Sequence, residues 1–409
     1  MARPGPLPGL VALTLANTLS QFFRIAMGLV APELARDLSL EPAALGTLSG
    51  AWFLAFALAQ PVVGMALDRL GPRRSVAGLF LLAGLGCVLL ATARSEARAV
   101  LAQVAIGLGC APVYMGTLVV VARFWPAERF AALSAILLAI AATGSILGAT
   151  PLALLVEAVG WRGAFLVFAA LVLAAAAGVF LLVRDAPEGR PPPARGERPS
   201  DVVRGMVEVL RLRPLRPILP MLFATYAVVM AVRGLWAGPY LAEMHGLEPV
   251  PRGHALLSIS LAMIGGLLGF AALERRLDRR KGPVLAATAV AVAGLLLLAA
   301  RPELAAPWAT LLLSAVVVGS VTYSLLMAQG RLFLPDRLVG RGLALLNMAS
   351  FLGVALLQTL TGLVVAAAPA EPPAARWTGL FAFLALWLTL AVLPYVRSAD
   401  PRTSAESPR

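Results

Sequence analysis

The group best placed to do chemistry in this chain is an arginine where arginine is expensive. Arg24 stands near the middle of an apolar run, Leu10 to Leu34, long enough to cross a bilayer. A guanidinium at the centre of such a helix costs about 2.5–3.5 kcal/mol on insertion scales, and it cannot escape by losing its proton. It is expected to face a wet cavity or a partner, and its planar fork of donors suits a carboxylate or a phosphate. A second group pairs soft sulfur with imidazole: Met230, Met244, His245, His254 and Met263 fall close together along the chain, a donor set that suits copper. Cys87 and Cys110 lie inside apolar runs and read as small hydrophobes, with neither a disulfide frame nor a metal spacing. No nucleophile–base pair is legible, so the chain does not read as an enzyme, and no cofactor motif is present.

The elements that must hold these residues are membrane helices. Of the 409 residues 60% are hydrophobic and 13% charged, which excludes an ordinary water-soluble domain. Twelve apolar runs are predicted as spans, over 10–34, 45–67, 76–94, 98–122, 131–155, 163–183, 216–241, 254–273, 283–300, 308–328, 342–367 and 377–396. The first run is too long for a signal core and lacks a small-residue cleavage pattern, so it reads as a retained span. The expected fold is an all-α membrane protein of twelve helices in two six-helix bundles, 1–184 and 216–409, joined by a linker over 185–215. That linker holds Pro191, Pro192 and Pro193. Its later part, Asp201 to Leu212, spaces Val202, Val203, Met206 and Leu210 opposite Arg204, Glu208 and Arg211, the pattern of a helix lying on the membrane surface.

A net charge of +13 could point to nucleic acid, but no such module is present and the basic residues sit in short loops. With the amino terminus inside, the outer loops hold Arg36, Arg94, Arg98, Arg162, Arg252, Arg301 and Arg376. Arg24 and Arg233 lie within spans, and the rest of the 34 basic residues fall on the inner side. That bias places both termini in the cytoplasm of a bacterial inner membrane. Trp161 with Arg162 and Arg376 with Trp377, at outer helix starts, read as interfacial anchors.

The two halves are similar. Tyr114 precedes Pro126 by twelve residues and Tyr323 precedes Pro335 by twelve; Ala31-Pro32-Glu33-Leu34 closes the first span and Gly238-Pro239-Tyr240-Leu241 the seventh. The loop after the second span reads Gly64-Met65-Ala66-Leu67-Asp68-Arg69-Leu70-Gly71-Pro72-Arg73-Arg74. This resembles the signature loop of the major facilitator superfamily, and a degenerate echo with Glu274, Arg275, Asp278 and Arg279 occupies the matching place in the second half. Physically, Gly64 allows close helix approach, Asp68 can accept bonds from a helix amino terminus and nearby arginines, and the basic residues hold the loop on an anionic leaflet. The resemblance implies that Gly64, Asp68, Arg69, Gly71, Arg73 and Arg74 form an inner gate that latches near Arg341, at the start of the eleventh span.

Within that resemblance the first, fourth, seventh and tenth helices line the cavity. The implied substrate ligands are then Asn17, Gln21 and Arg24, Tyr114, Tyr226, Arg233 and Trp236, and Tyr323, with Gln329 further along the tenth. No acidic residue lies in the middle of a span, so the cavity is net positive and favours an anion. The spacing of Arg24 to Pro32 is similar to that of organophosphate exchangers, whose paired arginines in spans one and seven bind phosphate; Arg233 would be the partner, two residues out of register with Pro239. Gln103 stands where proton-coupled members carry an arginine, and Ala149-Thr150-Pro151 after Gly144 and Gly148 departs from the drug-exporter pattern, which disfavours multidrug antiport. Asn347, Ser350, Gln358 and Thr361 in the eleventh span read as interhelical glue. The expectation is a monomeric secondary transporter, an antiporter or uniporter, that moves a small organic or phosphorylated anion through the lipid bilayer. The alternatives are a soft-metal importer built on Met230, Met263, His245 and His254, although the methionine spacing of the copper importers is broken here, or a ligand sensor that does not transport.

Overall fold

The computed structural model describes residues 6–186, 199–276, 280–335, 338–369 and 371–400, and its regular structure is helical throughout. In chain order the helices are α1 (Pro6–Phe23), α2 (Ala26–Leu38), α3 (Pro42–Ala91), α4 (Glu96–Phe124), α5 (Ala127–Ala142), α6 (Gly144–Leu147), α7 (Thr150–Leu182), α8 (Pro199–Arg211), α9 (Ile218–Ala231), α10 (Ala237–His245), α11 (Pro249–Arg276), α12 (Lys281–Ala300), α13 (Ala306–Ser320), α14 (Tyr323–Arg331), α15 (Val339–Ala367) and α16 (Pro373–Tyr395). Ten of them, alone or with their short extensions, are long and apolar enough to cross a membrane, and the bent pair α1 and α2 makes an eleventh span. The twelfth is contained in α3, which is two rods joined at Gly71. Twelve membrane helices result, as the apolar runs predict.

Gly71 turns the chain with φ 77° and ψ 164°, a conformation L side chains rarely adopt, and a Cβ there would come 2.4 Å from the Asp185 carboxyl. Gly160 makes the same turn inside α7, with φ 71°, so α7 likewise contains the end of one span and the whole of the next. The membrane solvent shows in the side-chain hydrogen bonds: the hydroxyls of Thr14, Thr18, Thr117, Thr225, Ser260 and Thr288 each donate to the carbonyl four residues back. With no water available, a hydroxyl inside an apolar helix satisfies itself on its own backbone.

Contacts divide the chain into two compact units, Met1–Ser39 with Ala51–Pro199, and Leu40–Gly50 with Ser200–Arg409. In the first, α1 packs against α4, α5, α6 and α7. Gly144 sits so close to α1 that a Cβ would lie 2.0 Å from the Thr18 carbonyl oxygen, which gives that glycine a packing role. In the second, α9 and α15 form the most extensive helix pair, and α16 packs on α9 and α12.

Three spans differ from the uninterrupted rods that the apolar runs suggest, because each carries polar groups where it breaks. The first bends by 50° at Arg24 and Ile25. The seventh contains a π-helical turn, Val232–Trp236, around Arg233. The tenth stops at Ser320 and restarts at Tyr323. The linker helix also differs from its expected face: Val209 is fully buried and Leu210 is 47% exposed, while Gly205 lies against the Arg341 side chain. The burying stripe is Gly205 and Val209, one turn apart, with Gly205 beneath that arginine. The side chains of Val202 and Val203, the proline run, and Glu274, Arg275, Asp278 and Arg279 lie outside what is described.

Candidate functional site

Arg24 occupies the bend between α1 and α2 and is only partly buried. Its guanidinium carbon lies 5.0 Å from the Phe56 ring centroid and 6.0 Å from that of Trp52. Those two rings, one helical turn apart on α3, stack on each other with centroids 5.2 Å apart and planes 12° from parallel. Stacking engages the flat face of a guanidinium, whereas its N–H donors lie in the plane, so a cation–π contact and a forked anion contact are compatible in one arginine. Trp52 and Phe56 are 2% and 4% exposed and fix the height of the charge in the helix.

Gln21 and Asn17 lie one and two turns before Arg24 on the same face of α1; Gln21 is half-buried, and Asn17 is buried with an amide nitrogen that meets no acceptor among the described residues. From α4, the Tyr114 phenol and the Cys110 thiol both lie within electrostatic reach of the guanidinium, and Cys110 has Ser20 of α1 as a hydrogen-bond partner. In the first unit Tyr114 lies near Arg24, and Asn17 and Gln21 precede it on α1. The unit adds Trp52, Phe56 and Cys110, which sequence reasoning missed. The signal for the aromatic pair was there, two rings at i and i+4, but the second span was not read as facing the arginine.

In the second unit the candidates separate. Arg233 is 4% exposed, with a terminal nitrogen 3.4 Å from the Ser260 hydroxyl on α11, so it is braced inside its own helix bundle. Trp236 donates its indole N–H to Thr361 at 2.8 Å, and Gln358 donates to the Met230 carbonyl at 3.1 Å. These bonds hold the π turn of the seventh span onto α15, so the Trp236 indole N–H is engaged by the eleventh span. Tyr226 and Tyr323 remain half-buried, their rings 5.7 Å apart; Phe351 stands edge-on to Tyr226 at 5.7 Å, and the Tyr323 hydroxyl donates to Asn347 at 2.7 Å. Gln329 is fully buried, accepting from the Tyr395 hydroxyl at 2.7 Å and donating to the Ala399 carbonyl at 2.9 Å.

The soft-metal group does not assemble into one environment. His245 stands edge-on to Tyr240, His254 lines an open groove with Leu247, Ser258 and Thr310, and Met230 is buried where its carbonyl receives Gln358. Among the described residues no three His, Cys, Asp or Glu side chains come together.

At the signature loop, Asp68 and Arg69 are exposed, and among the described residues Asp68 has no hydrogen-bond or ion-pair partner. The bond to a helix amino terminus expected of Asp68 is made by Asp185. Its carboxylate accepts from the Arg73 backbone N–H at 2.8 Å, and its carbonyl accepts from Arg123 at 2.7 Å. Arg73 itself reaches back to the Phe180 carbonyl at 2.5 Å and lies over the Phe180 ring. The positive-φ turn at Gly71 aims the next helix start at the end of α7, so the carboxylate that meets it comes from there. The second unit repeats the device: Asp400 accepts from the backbone N–H groups of Arg280 and Lys281 at 3.1 and 3.2 Å, just after α16 and at the start of α12. Arg74 is exposed, and Gly64 has open space around it.

The expected anchors are ion pairs. Arg162 binds Asp37, which also accepts from the Trp161 indole at 3.1 Å, and Arg376 lies 3.1 Å from Glu243. Arg252, read as an outer-loop charge, is 1% exposed in the first turn of α11, with a terminal nitrogen 3.4 Å from the Leu247 carbonyl.

Two sets of six spans, three of them interrupted at polar residues, and the glycine-turned loop make up the architecture. The sequence profile of the Major Facilitator Superfamily matches residues 13–358, and the chain belongs to that family; it is a transporter, not an enzyme. It is similar to the chloramphenicol resistance protein of Streptomyces lividans, 30% identical over 306 residues, covering 74% of this chain and 73% of that protein. A gentisate transporter of Corynebacterium glutamicum is 26% identical over 353 residues, 84% of this chain and 77% of its own. An MFS-type efflux pump of Mycolicibacterium smegmatis is 33% identical over 178 residues, and the match spans only 40% of that protein and 42% of this chain. Among solved structures, a D-xylose–proton symporter superposes with a TM-score of 0.77 at 15% identity, covering 98% of this chain and 99% of that one, a likeness of fold alone.

Proposed function

We propose that this protein is a secondary transporter that moves a small organic or phosphorylated anion across a bacterial inner membrane by alternating access, with both termini cytoplasmic. The observation that carries the reading is Arg24, a permanent cation held at a bend in the first span with its face on Phe56 and Trp52 and with Gln21, Asn17 and Tyr114 beside it. A guanidinium backed by rings and flanked by neutral donors gains most from a planar carboxylate, which can take two parallel N–H bonds, and aromatic walls suit an aromatic acid. The similarity to a gentisate transporter supports the same class.

A second reading is export of an uncharged aromatic drug, favoured by the similarity to a chloramphenicol resistance protein and to an efflux pump. Purified protein is screened by thermal shift against aromatic and aliphatic carboxylates, organophosphates, chloramphenicol and copper(I), and the hits are tested for flux in proteoliposomes. Carboxylate stabilisation that disappears in Arg24→Gln and falls strongly in Arg24→Lys, where the fork is lost but the charge kept, is the expected result. Stabilisation by chloramphenicol that survives Arg24→Gln would move the assignment to drug export, copper alone to a metal importer, and binding without flux to a sensor.

A further inference from the structure

The linker helix α8 is apolar over more of its circumference than the protein covers. At about 100° per residue its positions fall around the helix in the order Gly205, Val209, Met206, Leu210, Val207, Arg211, Arg204. Burial falls away along the same order. Gly205 and Val209 are buried, Met206 is half-buried, Leu210 and Val207 are 47% and 41% exposed, and the exposed Arg211 and Arg204 come next. An uncovered apolar strip therefore runs along α8, with protein on one side of it and a pair of arginines on the other. That is the cross-section of a helix set into a headgroup layer, its apolar edge toward the acyl chains and its cations level with the phosphates.

Two further observations say what covers the strip. Only Leu212 to Pro217 separates α8 from α9, the start of a membrane span, and within that link Leu215 is fully buried, so α8 is tied close to the membrane boundary. From Arg204 to Arg216 the chain carries four arginines, Arg204, Arg211, Arg213 and Arg216, all exposed, against one glutamate, the half-buried Glu208. We infer that this edge of α8 is a binding surface for anionic phospholipid, with Val207 and Leu210 among the acyl chains and the four arginines at the headgroup phosphates. Each arginine near a negatively charged bilayer strengthens binding about fivefold, a gain that a zwitterionic surface does not supply. Gly205 lies against the Arg341 side chain, so lipid that seats α8 also keeps that arginine covered. The inference needs no substrate and is independent of the anion reading.

The test uses the full chain carrying Val207→Cys, labelled there with an environment-sensitive fluorophore; Cys87 and Cys110 are buried, so the label reports on α8. The protein is placed in nanodiscs of phosphatidylcholine with or without phosphatidylglycerol. Both faces of a nanodisc carry the same lipid, so the result does not depend on which way the transporter is oriented. Emission that moves to the blue when phosphatidylglycerol is present, is quenched by brominated acyl chains and reverts in high salt is expected. Arg204→Gln combined with Arg211→Gln should remove most of that shift. The unlabelled wild type gives a second measurement: its melting temperature in detergent should rise saturably with added phosphatidylglycerol and not with phosphatidylcholine, and the double variant should need about tenfold more lipid or greater. Equal emission in the two lipids, a label that stays open to an aqueous quencher in phosphatidylglycerol, or a lipid response undiminished in the double variant would each overturn the proposal. The wild-type lipid comparison decides the matter even where the label disturbs α8.

Discussion

At the scale of single residues, two carboxylates carry more of the structure than their positions in the chain advertise. Asp185 and Asp400 each follow the last helix of a six-span set and each accept backbone N–H groups at the start of the third helix of that set. A carboxylate there satisfies donors that the helix cannot, and it meets the positive end of the helix dipole. Asp185→Ala is expected to cost about 1–2 kcal/mol and to lower the melting temperature, with Asp185→Asn in between because its amide oxygen still accepts. Asp400→Ala should behave alike. Unchanged melting curves in both alanine variants would remove the capping role. The sequence held a hint, an aspartate shortly before Pro187 and another before Pro401, but the signature loop drew the expectation to Asp68, which is nearer in sequence and exposed. Arg24 shows the opposite case: its cost in hydrocarbon marked it from sequence, while the rings that hold it are ordinary apolar residues until the fold brings them to its face.

At the scale of elements, what matters is where helices break and how closely they approach. The spans that bend or bulge do so at Arg24, at Arg233 and beside Tyr323, so irregular backbone falls where polar side chains sit, as expected when broken helix is tolerated only inside the protein. Gln358 and Trp236 show how the π turn is kept, each spending a donor across to the neighbouring helix. Between α6 and α1 the spacing is set by Gly144. Gly144→Val places a branched side chain against the Thr18 carbonyl, and an overpacking penalty of about 1–3 kcal/mol is expected. The bend at Arg24 lies one to two turns beyond Thr18, so the same variant should also weaken anion stabilisation; a melting curve and a ligand titration that both match wild type would refute this.

At the scale of the whole molecule, the charge pattern makes a prediction about topology. The basic residues cluster at the ends of spans that carry the signature loop, the linker and the carboxy-terminal tail. Reporter fusions at both termini should therefore read as cytoplasmic, and fusions after Arg94 or Arg301 as external. An external carboxy terminus would reverse the proposed orientation.

The number of spans, the family and the two costly charges were legible in the chain, because hydrocarbon demands long apolar runs and penalises charge so strongly that both leave a mark without any fold. The partners were decided by tertiary structure: rings against Arg24, Ser260 against Arg233, Thr361 against Trp236, Asp185 in place of Asp68. Each of these joins residues far apart in sequence, and most involve apolar or uncharged groups that a bilayer tolerates anywhere. The solvent writes the architecture into the sequence, whereas the pairing of side chains depends on which faces the packed helices turn toward one another.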